Sequence, residues 1–260
     1  MRVRSLALLP AAVLTCTAAL ALAARAAEPV VPIGPGQTTW AQHLVDTALA
    51  AHREVVAIQV RTAPAGQPKL EVNAAGDRLD VKEPLKDVSG ETIGTLDVVF
   101  RYAKNQDTKP AERVASEIQT FFGKHAIGEA NLMDPYPYSA EFTPDNAAQA
   151  LVDATMARHP ELIVLGMHVT LPDGRNVMLG ANIGRIGKKA DDDDMRVVDT
   201  EKPNFEVATN GKRYEVELVL RDASGRNIGA LGTVFRYTAG DDKAALNARA
   251  IAIRDEMARA

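Results

Sequence analysis

Glu71–Tyr102 reads EVNAAGDRLDVKEPLKDVSGETIGTLDVVFRY, and Glu206–Tyr237 reads EVATNGKRYEVELVLRDASGRNIGALGTVFRY. The two stretches align without a gap and agree at about half of their positions, the mark of an internal duplication. Upstream, AQHLVDTALAAHREV from Ala41 matches AQALVDATMARHPEL from Ala148. The copies are offset by 135 residues in the first comparison and by 107 in the second, so copy two holds 28 residues that copy one lacks. These correspond roughly to Asn176 through Asn204.

The same element order is expected in each copy. A helix opens it: Trp40, Leu44, Ala48 and Ala51 recur at helical spacing in copy one, and Ala147, Leu151, Ala154 and Met156 supply part of a stripe in copy two. Thr143 is suited to cap the second of these helices, with Pro144 in its first turn. Strands are expected at Val55–Arg61 and Leu162–Leu171, then a turn at Pro172-Asp173-Gly174-Arg175 and a returning strand Val177–Ala181. The duplicated block ends in a hairpin about Asp-x-Ser-Gly, with final strands Ile93–Tyr102 and Ile228–Tyr237. Gly94 and Gly229 interrupt those strands, which a bulge or a close backbone approach would explain. A charged, alanine-rich helix closes each copy, near Pro110–Lys124 and Asp242–Arg259. The fold class is therefore α+β, with antiparallel sheets flanked by an opening and a closing helix. The expected domains are residues 37–128 (shortened) and 143–260 (complete), joined by a proline-bearing linker over 129–142.

The 260 residues are 46% hydrophobic and 25% charged, ordinary values that exclude a disordered or wholly membrane-embedded chain. Aromatics make up only 5%, so the cores must be aliphatic, and a net charge of -4 argues against a nucleic-acid partner. Residues 1–27 have the form of a secretory signal peptide: basic Met1-Arg2-Val3-Arg4, an apolar run from Leu6 to Ala24, and the small-x-small site Ala24-Arg25-Ala26. The alternative is a retained membrane anchor. The single cysteine, Cys16, lies inside this segment, so the remainder has no disulfide, zinc–thiolate site or cysteine nucleophile. H-E-x-x-H, G-x-S-x-G, G-x-x-x-x-G-K-[ST] and C-x-x-C signatures are missing, and no enzyme activity or cofactor is expected.

The hairpin D-x-S-G-x-x-I-G-x-L-x-x-V-F, at Asp87 and again at Asp222, resembles the last two strands of the PAS/Cache sensory superfamily. Asn182–Asp194, N-I-G-R-I-G-K-K-A-D-D-D-D, resembles the I-G-K-x-(S/A)-D-x-x-D segment of bacterial periplasmic Cache-type domains. Thr200-Glu201-Lys202-Pro203 matches the T-G-K-P element that follows in them, except for Glu201 in place of glycine. The resemblance implies two tandem PAS/Cache-like domains, with a small-metabolite pocket between sheet and connecting segment and no chemistry performed there. Such domains sit outside the membrane on kinases, chemoreceptors or cyclase regulators. With no later membrane span or output module in view, this chain is expected to be a soluble periplasmic or secreted binding protein. The alternative is an interaction or scaffold protein that docks onto a membrane receptor or transporter without a ligand.

Arg185, Lys188 and Lys189 lie in the segment that copy one lacks, beside Gly184 and Gly187. Fixed cations among approachable backbone amides suit an anionic organic metabolite, a carboxylate- or phosphate-bearing ligand. The other reading of these cations is pairing with Asp191–Asp194. Asn182 and Arg185 are the expected inward-facing groups. Calcium at the Asp191–Asp194 run is disfavoured because the alternating ligand spacing is missing; Asp191 reads as the cap of a short helix. His168, in a strand pattern, and Tyr214, which replaces Leu79 of copy one, complete the candidate ligand set. Strand alternation puts Arg213, Glu215 and Glu217 on one face and Tyr214 and Val216 on the other. Because Arg78 and Asp80 are the counterparts of Arg213 and Glu215, that pair reads as structural. His52 and His159 fall at helix ends, where an imidazole meets the dipole favourably.

Overall fold

The computed structural model describes residues 37–62 and 68–260. The expected signal peptide over residues 1–27, with Cys16, lies outside the described residues. Among the described residues no helix is long and apolar enough to cross a membrane.

β1 (Thr38–Thr39) leads into α1 (Trp40–Ala51), which Thr39 caps by accepting from the Gln42 amide at 3.0 Å. Trp40, Leu44 and Ala48 are buried as their spacing requires, while Ala51 at the end of the series is exposed. β2 (Val55–Arg61), β3 (Lys69–Val72), β4 (Arg78–Lys86) and β5 (Thr92–Arg101) form an antiparallel sheet in the order β2-β5-β4-β3. α2 (Lys109–Gly123) buries Ala115, Ile118 and Phe122 against the same core. Residues 129–142 are not a free linker. They hold α3 (Glu129–Leu132) and β6 (Pro135–Tyr136), which pairs with β1, and the first core buries Leu132 and Tyr136. Apolar side chains at those positions keep the segment on the core instead of in water.

Copy two opens with α4 (Ala147–Arg158). Its cap is Asn146 rather than Thr143: the Asn146 side chain accepts from the Gln149 amide at 3.0 Å and donates to the Leu179 carbonyl at 2.9 Å. One residue thus caps the helix and ties it to the sheet, which moves the start past Pro144. The buried stripe shifts with it: Val152 and Thr155 are buried, whereas Ala147 and Ala154 are exposed.

β7 (Leu162–Thr170), β8 (Asn176–Ala181), α5 (Asp192–Thr200), β9 (Asn204–Val207), β10 (Arg213–Arg221), β11 (Asn227–Arg236) and α6 (Lys243–Met257) follow. The five strands pair antiparallel in the order β8-β7-β11-β10-β9. With β8 set aside, this repeats the first sheet strand for strand. β8, the turn after it and α5 are the material that copy one lacks. α4 and α6 cover one face, where Val152, Leu165, Val216, Leu231, Phe235 and Ile253 form a second core. Each such side chain contributes about 1.5–3 kcal/mol by leaving water.

The two interior glycines sit at matched irregularities. The β10–β11 register shifts beside Gly229, and the β4–β5 register shifts beside Gly94. A Cβ on Gly229 would stand 2.0 Å from the His168 carbonyl oxygen, and one on Gly94 would stand 2.1 Å from that of Arg61. Gly229 also has φ of 151°, which L side chains rarely adopt. Gly229→Ala is expected to cost about 3 kcal/mol or more, since both backbone strands would have to move. Urea unfolding that shows a midpoint unchanged from wild type would contradict this.

The two copies interlock. After β8 the chain leaves the second sheet and enters the first domain, where Ile186 is fully buried in the first core. Gly184 lies against Trp40, where a Cβ would come within 2.8 Å of the indole. The Tyr138 amide donates to the Ile186 carbonyl at 2.6 Å, and the Asn131 side chain donates to the Ile183 carbonyl at 3.0 Å. A third cluster joins Val88 of the first domain to Val164, Met178, Ile183 and Val234 of the second. On the far side Lys212 reaches Glu91 at 2.8 Å. A fragment of residues 140–260 is expected to fold, because the second core comes wholly from that range. Amides around Gly184 and Ile186 should nevertheless lose hydrogen-exchange protection in it, because Trp40 and the first core that pack against them are in the other copy. Equal protection in fragment and full chain would show that the interlock contributes nothing.

Candidate functional site

On the face of the second sheet opposite α4 and α6, α5 covers one part, packing Val197 against Val219 and Ala230. The segment from Ile183 to Asp194 arches over another part and leaves a cavity of about 430 Å³. The strands contribute Gly166, His168, Glu215, Glu217, Gly232 and Val234 to its wall. The arching segment contributes Arg185, Lys188, Lys189, Asp191, Asp193 and Asp194. Glu206 and Arg213 close one side, and Ile127 of the first domain reaches in beside them.

Strand alternation decides which side chains arrive there. Arg213, Glu215 and Glu217 are alternate residues of β10 and share the cavity face; Tyr214 points the other way. Arg213 and Glu215 are therefore part of the cavity and not a structural pair: Arg213 donates to the Ile127 carbonyl at 3.2 Å. The signal in the sequence is the β10 alternation itself; the similar residues Arg78 and Asp80 in copy one give that pair a structural look.

Of the five residues singled out from the sequence, His168, Arg185 and Lys188 line the cavity. Asn182 and Tyr214 are not on its wall. The buried Asn182 amide accepts from the Leu165 N–H at 2.9 Å and donates to the carbonyls of Lys124 (2.9 Å) and Ile163 (3.1 Å). Both N–H donors and the carbonyl oxygen of the amide are thus engaged, which fixes the start of the arching segment. The Tyr214 hydroxyl donates to Asn247 on α6 at 2.9 Å, within the second core. Arg185, at a positive φ of 68°, sends Nε to Asp134 Oδ2 at 3.1 Å, both side chains being largely buried. This carboxylate partner lies in the segment 129–142 that packs on the first core.

Asp191 caps α5 as its sequence suggests, accepting from the amides of Asp193 (3.1 Å) and Asp194 (3.2 Å). Asp194 returns the bond, its carboxylate accepting from the Asp191 amide at 3.1 Å. This reciprocal cap holds the buried Asp194 carboxyl with Oδ2 at 3.4 Å from His168 Nε2. Burial lowers His168 to about 4, and burial together with the Asp191 charge raises Asp194 to about 7. At neutral pH the imidazole is uncharged, so this contact is not an ion pair. His168 Nδ1 is buried and makes no hydrogen bond. Burial also pushes Glu215 to about 7, with Glu217 and Glu206 adding repulsion, and raises Glu217 despite the bond it accepts from Asn204 at 3.0 Å. His52 and His159 end α1 and α4 respectively, and His159 Nε2 meets Glu256 at 2.9 Å, away from the cavity.

No protein-family model and no curated protein matches the sequence. Among solved structures, the Agobacterium tumefaciens repressor BlcR aligns at 10% identity and a TM-score of 0.32, over 59% of this chain and 84% of that chain. A likeness at that level says nothing about the fold or activity of this chain.

The raised carboxyls make a pH prediction. Glu215 holds its proton in the folded state to about pH 7 but loses it near its ordinary value when unfolded. Stability from this group therefore falls as pH rises through that window. Glu215→Gln is expected to melt several degrees above wild type at pH 8, with the difference closing towards pH 4.5. A variant that melts below wild type at pH 8 would show that the ionised carboxylate is stabilised by its surroundings.

Proposed function

We propose that the chain is an extracytoplasmic small-molecule-binding protein with two tandem PAS/Cache-like domains, and that the second domain holds the ligand. The reading rests on one observation above the others. The cavity lies between the antiparallel sheet and the connecting segment of copy two, the place the sequence resemblance implies for a ligand. Its roof, from Ile183 to Asp194, belongs to the segment that copy one lacks. Its size falls within the range of small-ligand sites, about 300–1,000 Å³.

The character of the wall favours a ligand over a pure scaffold. A scaffold domain would be expected to fill this space with aliphatic side chains. Here Gly166 and Gly232 leave room on the strands, and charged groups surround the space. The placement outside the cytoplasm rests on the signal-like residues 1–27. A carboxylate-bearing ligand at Arg185 and Lys188 would have to compete with Asp134 for the guanidinium, and it would face the acids of β10. The mixed charge of the wall suits a polar molecule.

The full chain, purified without denaturation from its native host, is expected to carry a small molecule in native mass spectra. A ligand at a hundredfold its Kd should add roughly 2.7 kcal/mol of stability. No bound species, and no thermal shift across a metabolite library, would overturn the proposal.

A further inference from the structure

The duplication supplies an internal control for the cavity. Strand pairing equates the two sheets residue by residue. Arg61 pairs with Thr95 as His168 pairs with Ala230, and Lys82 pairs with Asp97 as Glu217 pairs with Gly232. On the first sheet this face is charge-balanced by its own strands. Lys82 and Lys69 both bond Glu71, and Arg61 meets the buried Asp97 at 3.1 Å. At the matching positions the second sheet has Glu217 for Lys82, Asn204 for Lys69, Glu206 for Glu71, His168 for Arg61 and Gly232 for Asp97. Three strand cations of the first face, Lys82, Lys69 and Arg61, have been replaced by an acid or an uncharged group, and one acid has been replaced by open space; another cation, Arg78, is kept as Arg213, which donates to the Ile127 carbonyl at one side of the cavity.

We infer that the second-domain cavity binds its ligand through a protonated amine, seated among Glu217, Glu215 and Asp194 on the strand side. This rests on the reading of the cavity as a ligand site. The same backbone tolerates cations on this face, since copy one has them there, so their replacement is not forced by the fold. The wall also carries Arg185, Lys188, Lys189 and Arg213, but its acids outnumber these cations, and gathering surplus carboxylates in a partly dry cavity is costly without a further positive group among them. An ammonium supplies that charge and up to three donors, and charge-assisted bonds to carboxylates are the strong kind. His168 is a second, independent pointer. It is more than nine-tenths buried, it lines the cavity, and its Nδ1 has no hydrogen-bond partner. An uncharged imidazole can present that nitrogen as an acceptor to a second N–H of the ligand. Gly232, where copy one has Asp97, and Gly166 open the space between these groups.

The test is a thermal-shift and calorimetric titration of the full chain with putrescine, ethanolamine and L-lysine. Each is set against a counterpart without the charged nitrogen: 1,4-butanediol, ethylene glycol and diacetyl-lysine. Succinate and calcium chloride are run alone. At millimolar concentration at least one amine is expected to raise Tm by roughly 2–4 °C or more, the size of effect that 1 kcal/mol gives in chains of this length. Its counterpart should be silent. Glu217→Lys, which installs the residue of copy one, should abolish the shift, and Glu217→Gln serves if that variant does not fold. Tyr214→Phe, on the opposite face, should leave it intact. A shift from succinate, calcium or a neutral counterpart in place of the amines would overturn the amine assignment while leaving the cavity a ligand site. An amine shift that survives both Glu217 variants overturns it as well. Silence from every compound, with nothing bound in native mass spectra, would take down both readings.

Discussion

The side-chain amide of Asn182 is the point on which the arrangement turns. It is buried, so each of its polar atoms must find a partner or cost free energy. Its three bonds reach β7 twice and the end of α2 once. They stop β8 at a fixed place and send the next residues away from the second sheet, into the first domain. Ile186 then buries in the first core, and the chain returns to the second sheet through Lys188 and Lys189. The cavity exists because of that detour. A segment lying flat on the sheet would fill the space, and one left in solvent would not roof it.

This route also sets how the domains relate. One wall of the cavity is anchored in the core of the other domain, by Ile186 and by the Arg185–Asp134 pair. The first domain is therefore more than a spacer, even though its sheet lacks the strand equivalent to β8. Its Ile127 touches the cavity directly, and the Ile127 carbonyl holds Arg213. Small displacements of the arching segment must be felt in the first core, since packed interiors accommodate volume change poorly.

The contrast between the two sheets is one of charge on a shared backbone. Matched strands carry matched glycines, Gly94 and Gly229, where neighbouring carbonyls leave no room for a Cβ. The core-facing side chains of the two copies are similarly apolar. The face beneath the arching segment diverges in charge, from the ion pairs of Lys82, Lys69 and Arg61 to a wall whose strand side carries Glu206, Glu215 and Glu217 beside His168.

Periodicity and turn chemistry made much of the fold legible in advance. The duplication, the final strands, the closing helices and the irregularities at Gly94 and Gly229 follow from local spacing, which depends on neighbours along the chain. The same holds for the Asp191 cap. The start of α4 was misplaced because Asn146 gains a second bond to Leu179, across the sheet, that Thr143 does not have. The linker over 129–142 was misjudged because what buries Leu132 and Tyr136 lies elsewhere in the chain. In the site, the sequence identified the right segment and three of its wall residues, and alternation put Glu215 and Glu217 on one face. Which face was the cavity, and therefore that Tyr214 belongs to the core and that acids dominate the strand wall, depended on where the helices pack. Asn182 looked like a ligand group because a conspicuous amide beside glycines reads the same whether it faces a ligand or a backbone. Only the tertiary structure, by bringing Leu165, Ile163 and Lys124 around it, decided that it holds the chain instead.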